Sequence, residues 1–241
     1  MNGLTNSEIL WGKIRLAENR LFAATHFFWN CPDLSVLLPR FLIQTHCLMR
    51  HGLALMAFAR DRALAMPDDE VARELAEYLR VHIEEESDHD AWLLDDICTL
   101  GFQAQHVLHT PPCAATAALI SAQYFWINQV HPVAIMGYLI LMEGYAPLVS
   151  QLDEIQARSG APASAFRCLK RHAEDDPQHL ADLNGTLDRM NLSIDQARAV
   201  GMCAFAAIDS LASMFEELQE IDTPKVAHPD VQPEDLLYAR S

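Results

Sequence analysis

The sequence predicts an all-α fold, a single bundle of about seven helices. Apolar residues recur at three- and four-residue intervals along most of the chain, and no stretch reads as a convincing strand. Glycine and proline are sparse, 9 and 12 in 241 residues, and no repeat or polar linker divides the chain. One domain over residues 1–222 with a tail over 223–241 is therefore expected, and at 51% hydrophobic residues it can bury a substantial core.

The first helix, residues 6–30, follows a Thr-Asn-Ser capping region and carries Ile9, Leu10, Ile14, Ala17, Leu21, Ala24 and Phe28 at helical spacing. Cys31-Pro32-Asp33 ends it, and a second helix covers residues 34–65 with a kink near Pro39. After Met66-Pro67, a third helix spans residues 69–100; its stripe starts at Val71, Leu75 and Tyr78/Leu79, resumes at Leu93 and Ile97, and stops at Gly101. Beyond Pro111-Pro112 a fourth covers residues 114–128, and His131-Pro132 begins or kinks a fifth that reaches residue 158. Gly160-Ala161-Pro162 separates it from a sixth over residues 163–190, with Phe166, Leu169, Leu183, Leu187 and Met190 as its stripe. A seventh spans residues 194–221, and the three prolines from Thr223 onward predict an irregular tail.

The formal net charge of −16 would repel phosphate backbones and anionic headgroups, and no Lys/Arg cluster offsets it, so neither nucleic acid nor membrane is expected as a partner. The apolar stretches 113–127 and 132–142 are too short to span a bilayer, and the first residues lack a signal-peptide pattern, so a cytoplasmic location is expected. Six cysteines never occur as CxxC and lie mostly in apolar helical sequence, which favours dispersed thiols over disulfides or a zinc site.

The informative positions are polar gaps in the apolar stripes, because a buried Asp, Glu or His must be hydrogen-bonded, paired or metal-bound to offset its desolvation. In VHIEEESDHDAWLL the gaps fall at His82, Glu85/Glu86 and His89; seven residues is nearly two helical turns, which turns His82 and His89 the same way with Glu86 between them. In CLKRHAEDDPQHLADL they fall at His172, Asp176 and His179, an HxxxDxxH pattern on one face. PVAIMGYLILMEGYAPLV holds one ionisable carboxylate, Glu143, in an apolar helix. Imidazoles and carboxylates projecting inward from several helices are the ligand set of carboxylate-bridged diiron or dimanganese sites. Blander roles exist for each residue: EEESDHD as a solvated face, Asp176 as the N-cap ahead of Pro177, Glu143 as the partner of an arginine. Pro177 also predicts a helix that is locally loose without metal.

These residues resemble the heme-oxygenase-like diiron oxidases, relatives of TenA-type thiaminases and the PqqC oxygenase. The resemblance runs from THFFWNCPDLSVLLPRFLIQTHCLMRHG through HPVAIMGYLILMEG to HAEDDPQHLADL. It implies a heme-oxygenase-like (TenA/PqqC-like) bundle, often homodimeric, that activates dioxygen at a non-heme iron site to oxidise a small organic metabolite. It marks His89, Glu143, His172, Asp176 and His179 as iron ligands. In one departure, the position seven residues before His89, where the family commonly has glutamate, holds His82. Glu86 or Glu85 then replaces the carboxylate, or His82 ligates, or the first of two iron positions is weak. Aromatic residues Tyr124, Trp126, Tyr138 and Tyr145 are candidate walls of a substrate pocket, with plain core as the alternative.

Other functions would use other residues. A TenA-like hydrolase of a thiamine-type pyrimidine needs a nucleophilic cysteine, Cys113 or Cys203, near Glu217. A heme protein would use His26 as the proximal ligand. A PqqC-like oxidation or a binding scaffold would need no metal.

Overall fold

The computed structural model describes residues 3–220, so the expected tail lies outside the described residues. Among them there is no strand, and eleven α-helices replace the expected seven. The surplus comes mainly from breaks inside the expected segments.

Helix α1 (Asn6–Ala17) starts in a capping box, with the Thr5 hydroxyl accepting from Glu8 N–H and the Glu8 carboxylate accepting from Thr5 N–H. The chain breaks at Glu18, whose carboxylate accepts a hydrogen bond from the Tyr145 hydroxyl, and α2 (Asn19–Trp29) follows. The 31-residue α3 (Leu34–Leu64) contains Pro39 without interruption.

The expected third helix is two, α4 (Glu70–Glu85) and α5 (His89–Cys98). Asp69 caps α4 by accepting from Ala72 N–H at 2.9 Å. Between the two helices Asp88 has φ 72, a left-handed conformation that aspartate tolerates better than most residues. The helical ladder stops there, so His82 and His89 are not two turns apart on one rod.

A short α6 (Ala104–His109) precedes α7 (Ala114–Phe125), which widens into a π-turn over Trp126–Val130. His131 then starts a 3₁₀ turn, Pro132–Ile135, accepting from Val133 N–H through Nδ1 and facing Asp69 through Nε2 at 3.1 Å. Helix α8 (Met136–Gly144) ends ahead of Ala146-Pro147, where proline disfavours helix at the preceding residue, and α9 (Val149–Ser159) resumes beyond it. After a 3₁₀ turn at Ala163–Phe166 come α10 (Arg167–Arg189) and α11 (Ile194–Glu220).

Helix α11 is the spine, packed by α1, α2, α3, α7 and α8. By length and composition it is also apolar enough to cross a membrane, a stretch longer than those singled out from sequence, but its apolar side is occupied by the other helices. Gly137 lets α8 cross it closely, since a Cβ there would strike the Val200 carbonyl and Ala204 N. Helix α10 packs against α4, α5 and α8, which brings the polar gaps of four helices to one place. All six cysteines are free, and three of them, Cys47, Cys168 and Cys203, are buried.

Candidate metal centre

Two groups of donors form where α4, α5, α8 and α10 meet. His82, Glu86, Glu143 and His179 offer one atom each, all within 4.8 Å of one another, and Glu86, His89 and His172 do the same. Glu86 belongs to both. Its Oε1 lies 3.3 Å from His179 Nδ1, while Oε2 lies 2.9 Å from His89 Nδ1 and 3.9 Å from His172 Nε2. Glu143 spans the first group, with Oε1 3.3 Å from His82 Nε2 and Oε2 3.3 Å from His179 Nδ1.

The helix break sets this geometry. As the residue that closes α4, Glu86 donates its N–H to the His82 carbonyl; three residues on, beyond the left-handed Asp88, His89 opens α5 beside the Glu86 carboxylate. On α10 no break occurs. Pro177 lies inside the helix, so Asp176 is not an N-cap, and the i,i+4 spacing sets its Oδ1 3.2 Å from His172 Nδ1. Asp176 therefore orients His172, leaving Nε2 to face Glu86, and joins neither group directly.

The cluster is buried: His82 is 2% exposed, His89 6%, Asp176 4% and His179 9%. Burial opposes ionisation of Glu143, but the His179 and His82 imidazoles outweigh it and hold the carboxyl down at about 2. Glu143 first, then Glu86 and Glu85, push His179 up to about 9. Burial works against the His172 imidazolium, yet Asp176, Cys168 and Glu86 push it up to about 11. Burial likewise resists ionisation of Glu86, which nonetheless falls below the usual range beside His89 and His172, whereas burial raises Asp176. With no metal, protons on His172 and His179 offset part of the carboxylate charge.

Those protons do not satisfy the cluster. His82 Nε2, Glu86 Oε1, His172 Nε2 and His179 Nδ1 are buried and have no hydrogen-bond partner, because neighbours at 3.3 to 3.9 Å stand at the wrong angle or too far away. Donors around one cation at bonds of about 2.1 Å lie roughly 3–3.5 Å apart, close to the spacings observed. The residues fit a metal. Each imidazole has one nitrogen facing inward, and Glu86 offers an oxygen to each group.

A cavity of about 740 Å³ touches His82, Glu86, His89, Glu143, His172 and Asp176 on one side. Its other walls are largely apolar, including Phe22 and Trp29 of α2 and Met49 and Met56 of α3, with Arg15, Glu154 and Arg158 among the polar groups. Tyr138 and Tyr145 line it; Tyr124 and Trp126 do not. Tyr124 stands partly exposed against Phe58, with ring centroids 5.4 Å apart, and Trp126 lies in the π-turn against the core. The apolar walls were not identifiable from sequence, since a residue facing a cavity has the same helical spacing as one facing a neighbour.

Cys113, Cys203 and His26 are not on the cavity wall. The Glu217 carboxylate accepts from Ala114 and Ala115 N–H at the start of α7, and the Cys203 thiol donates to Gln123 at 2.9 Å.

The comparison with curated proteins finds no match. Among the solved structures that share the fold are two at similar TM-scores. One is a domain of unknown function with a heme oxygenase-like fold from Shewanella denitrificans OS217, at TM-score 0.68 and 18% identity over 89% of each chain. The other is a TenA homolog from Pseudomonas syringae pv. tomato str. DC3000, at TM-score 0.67 and 13% identity over 88% of this chain and 91% of that one. At such identities the likeness shows the fold alone, whereas the family described as iron-containing redox enzymes matches residues 40–211, most of the bundle and every donor named above. The chain thus belongs to the family of iron-containing redox enzymes and has its fold in common with heme oxygenase-like and TenA-like proteins.

Proposed function

We propose that this protein is a non-heme diiron oxidase or oxygenase that uses dioxygen to oxidise a small organic metabolite. The observation that carries the reading is the Glu86 carboxylate, whose two oxygens face two separate donor groups. A carboxylate so placed is suited to bridging two cations.

In this reading His82, Glu143 and His179 would hold one iron and His89 and His172 the other, with Glu86 available to each. Iron bound there would supply open coordination positions and some of the electrons for dioxygen, the rest coming from the substrate or a reductant. The protein supplies the surroundings. Glu86 and Glu143 bring negative charge into a buried site, Asp176 turns His172 inward, and the largely apolar cavity holds the substrate beside the cluster. The Tyr138 hydroxyl, pushed up mainly by burial and also by Glu143, stays protonated and can donate a hydrogen bond on the cavity wall. The hydrolase alternative has the shared fold of a TenA homolog behind it, but burial raises both the Cys113 and Cys203 thiols, and neither reaches the cavity.

Anaerobic titration of the purified apo-protein with Fe(II) tests the proposal. Two irons per chain are expected, with dioxygen consumption on exposure to air, and Glu86→Ala should bind fewer than two. One iron in the unsubstituted protein would reduce the centre to a mononuclear site, and none would overturn the reading.

A further inference from the structure

A second cavity, of about 360 Å³, reaches the same cluster between α4 and α10. Its walls are two helical stripes that face each other, Glu74, Glu77, Tyr78, Val81 and Glu85 on α4 and His179, Asp182, Thr186 and Arg189 on α10, and His82 completes its floor. The larger cavity touches His82 but not His179. Glu85 marks the outer side of the pair, with Oε2 3.7 Å from His82 Nδ1 and 4.0 Å from His179 Nε2, the nitrogens turned away from Glu143.

The two openings differ in chemistry. Four carboxylates and one guanidinium line the smaller one, and Glu85 and Asp182 also act on the buried Tyr78 hydroxyl, raising its pKa after the larger effect of burial. At its inner end stand His82 and His179, 2% and 9% exposed, whose Nε2 and Nδ1 atoms are without a hydrogen-bond partner. Glu77 is paired with Arg80 at 2.7 Å, but Glu74, Glu85 and Asp182 still outnumber Arg189. A cleft with excess negative charge concentrates cations, and this one ends beside Glu85 at the outer nitrogens of the two rings, His82 Nδ1 and His179 Nε2. Their partnerless nitrogens lie on the inner side, facing Glu143.

We infer that the α4–α10 vestibule is the route by which Fe(II) enters the centre, leaving the apolar cavity to the substrate. The inference rests on the metal-centre reading above. Glu74 and Asp182 guide the cation inward, and Glu85 receives it beside His82 and His179.

The test is the rate of anaerobic Fe(II) uptake by the apo-protein, followed in a stopped-flow instrument by tryptophan fluorescence. Trp92 is the reporter, its ring centroid 4.6 Å from that of His89. The double variant Glu74→Gln/Asp182→Asn changes two exposed positions and should preserve folding and final iron stoichiometry. Its uptake is expected to slow about 3- to 10-fold and to lose most of the salt dependence seen in the unsubstituted protein. Glu154→Gln, on the larger cavity, should leave the rate unchanged. An unaltered rate in the double variant, or slowing confined to Glu154→Gln, would overturn the route but leave the metal centre standing. Failure of the unsubstituted protein to take up iron would overturn both.

Discussion

Asp176 is where the structure most changes the meaning of a residue. The HxxxDxxH pattern presents it as an equal of the two histidines, and the resemblance marks it as an iron ligand, yet its carboxylate faces His172 Nδ1 at 3.2 Å. A carboxylate behind a metal-binding imidazole fixes the ring and raises its basicity, and losing one typically costs about 10- to 100-fold in metal affinity. Asp176→Asn preserves shape and a polar contact while removing charge. It should retain iron stoichiometry with affinity lowered within that range, whereas His172→Ala should lose one iron. Competition with a chelator of known affinity measures both, and loss of an iron in Asp176→Asn would restore the aspartate to the ligand set.

At the scale of single helices, legibility depended on what interrupts them. Helix α10 was readable because its three polar residues interrupt an apolar stripe at helical intervals and no tertiary break intervenes. The separation of α4 from α5 was not, because it turns on one left-handed aspartate in a charged run with neither glycine nor proline. The end of α8 did have a signal in Pro147, overshadowed by the strong apolar pattern before it. His82, His89 and Glu86 do lie together, but the break, rather than a continuous face, brings His89 to Glu86. Pro177 has the remaining consequence. Pro177 has no N–H to offer the Ala173 carbonyl, so α10 lacks one ladder hydrogen bond in the turn between His172 and Pro177, at a cost of about 3 kcal/mol in an ordinary helix. Ligation through His172 and His179 would clamp that turn from both sides. Amide exchange around residues 173–181 should therefore slow on Fe(II) binding more than exchange in α7, and equal protection with and without iron would remove the link.

For the whole molecule, the buried charges tie stability to pH and to iron. His179 and His172 rise from an ordinary 6.5 to about 9 and about 11 in the folded protein, so the metal-free fold binds protons more tightly than the unfolded chain does. Their stabilisation is complete below 6.5 and is lost as pH climbs through those raised values. Glu143 behaves oppositely: its stabilisation is present above 4.5 and disappears as pH falls toward about 2. Apo stability from these groups is therefore greatest between 4.5 and 6.5 and declines on the alkaline side. Metal needs the imidazoles neutral, so binding releases the same protons and strengthens with pH. The anaerobic melting temperature of the iron-loaded protein should exceed that of the apo form by a margin that widens from pH 6.5 to 8.5. Parallel melting curves across that range would mean that His172 and His179 do not exchange protons for metal, and would count against their assignment as ligands.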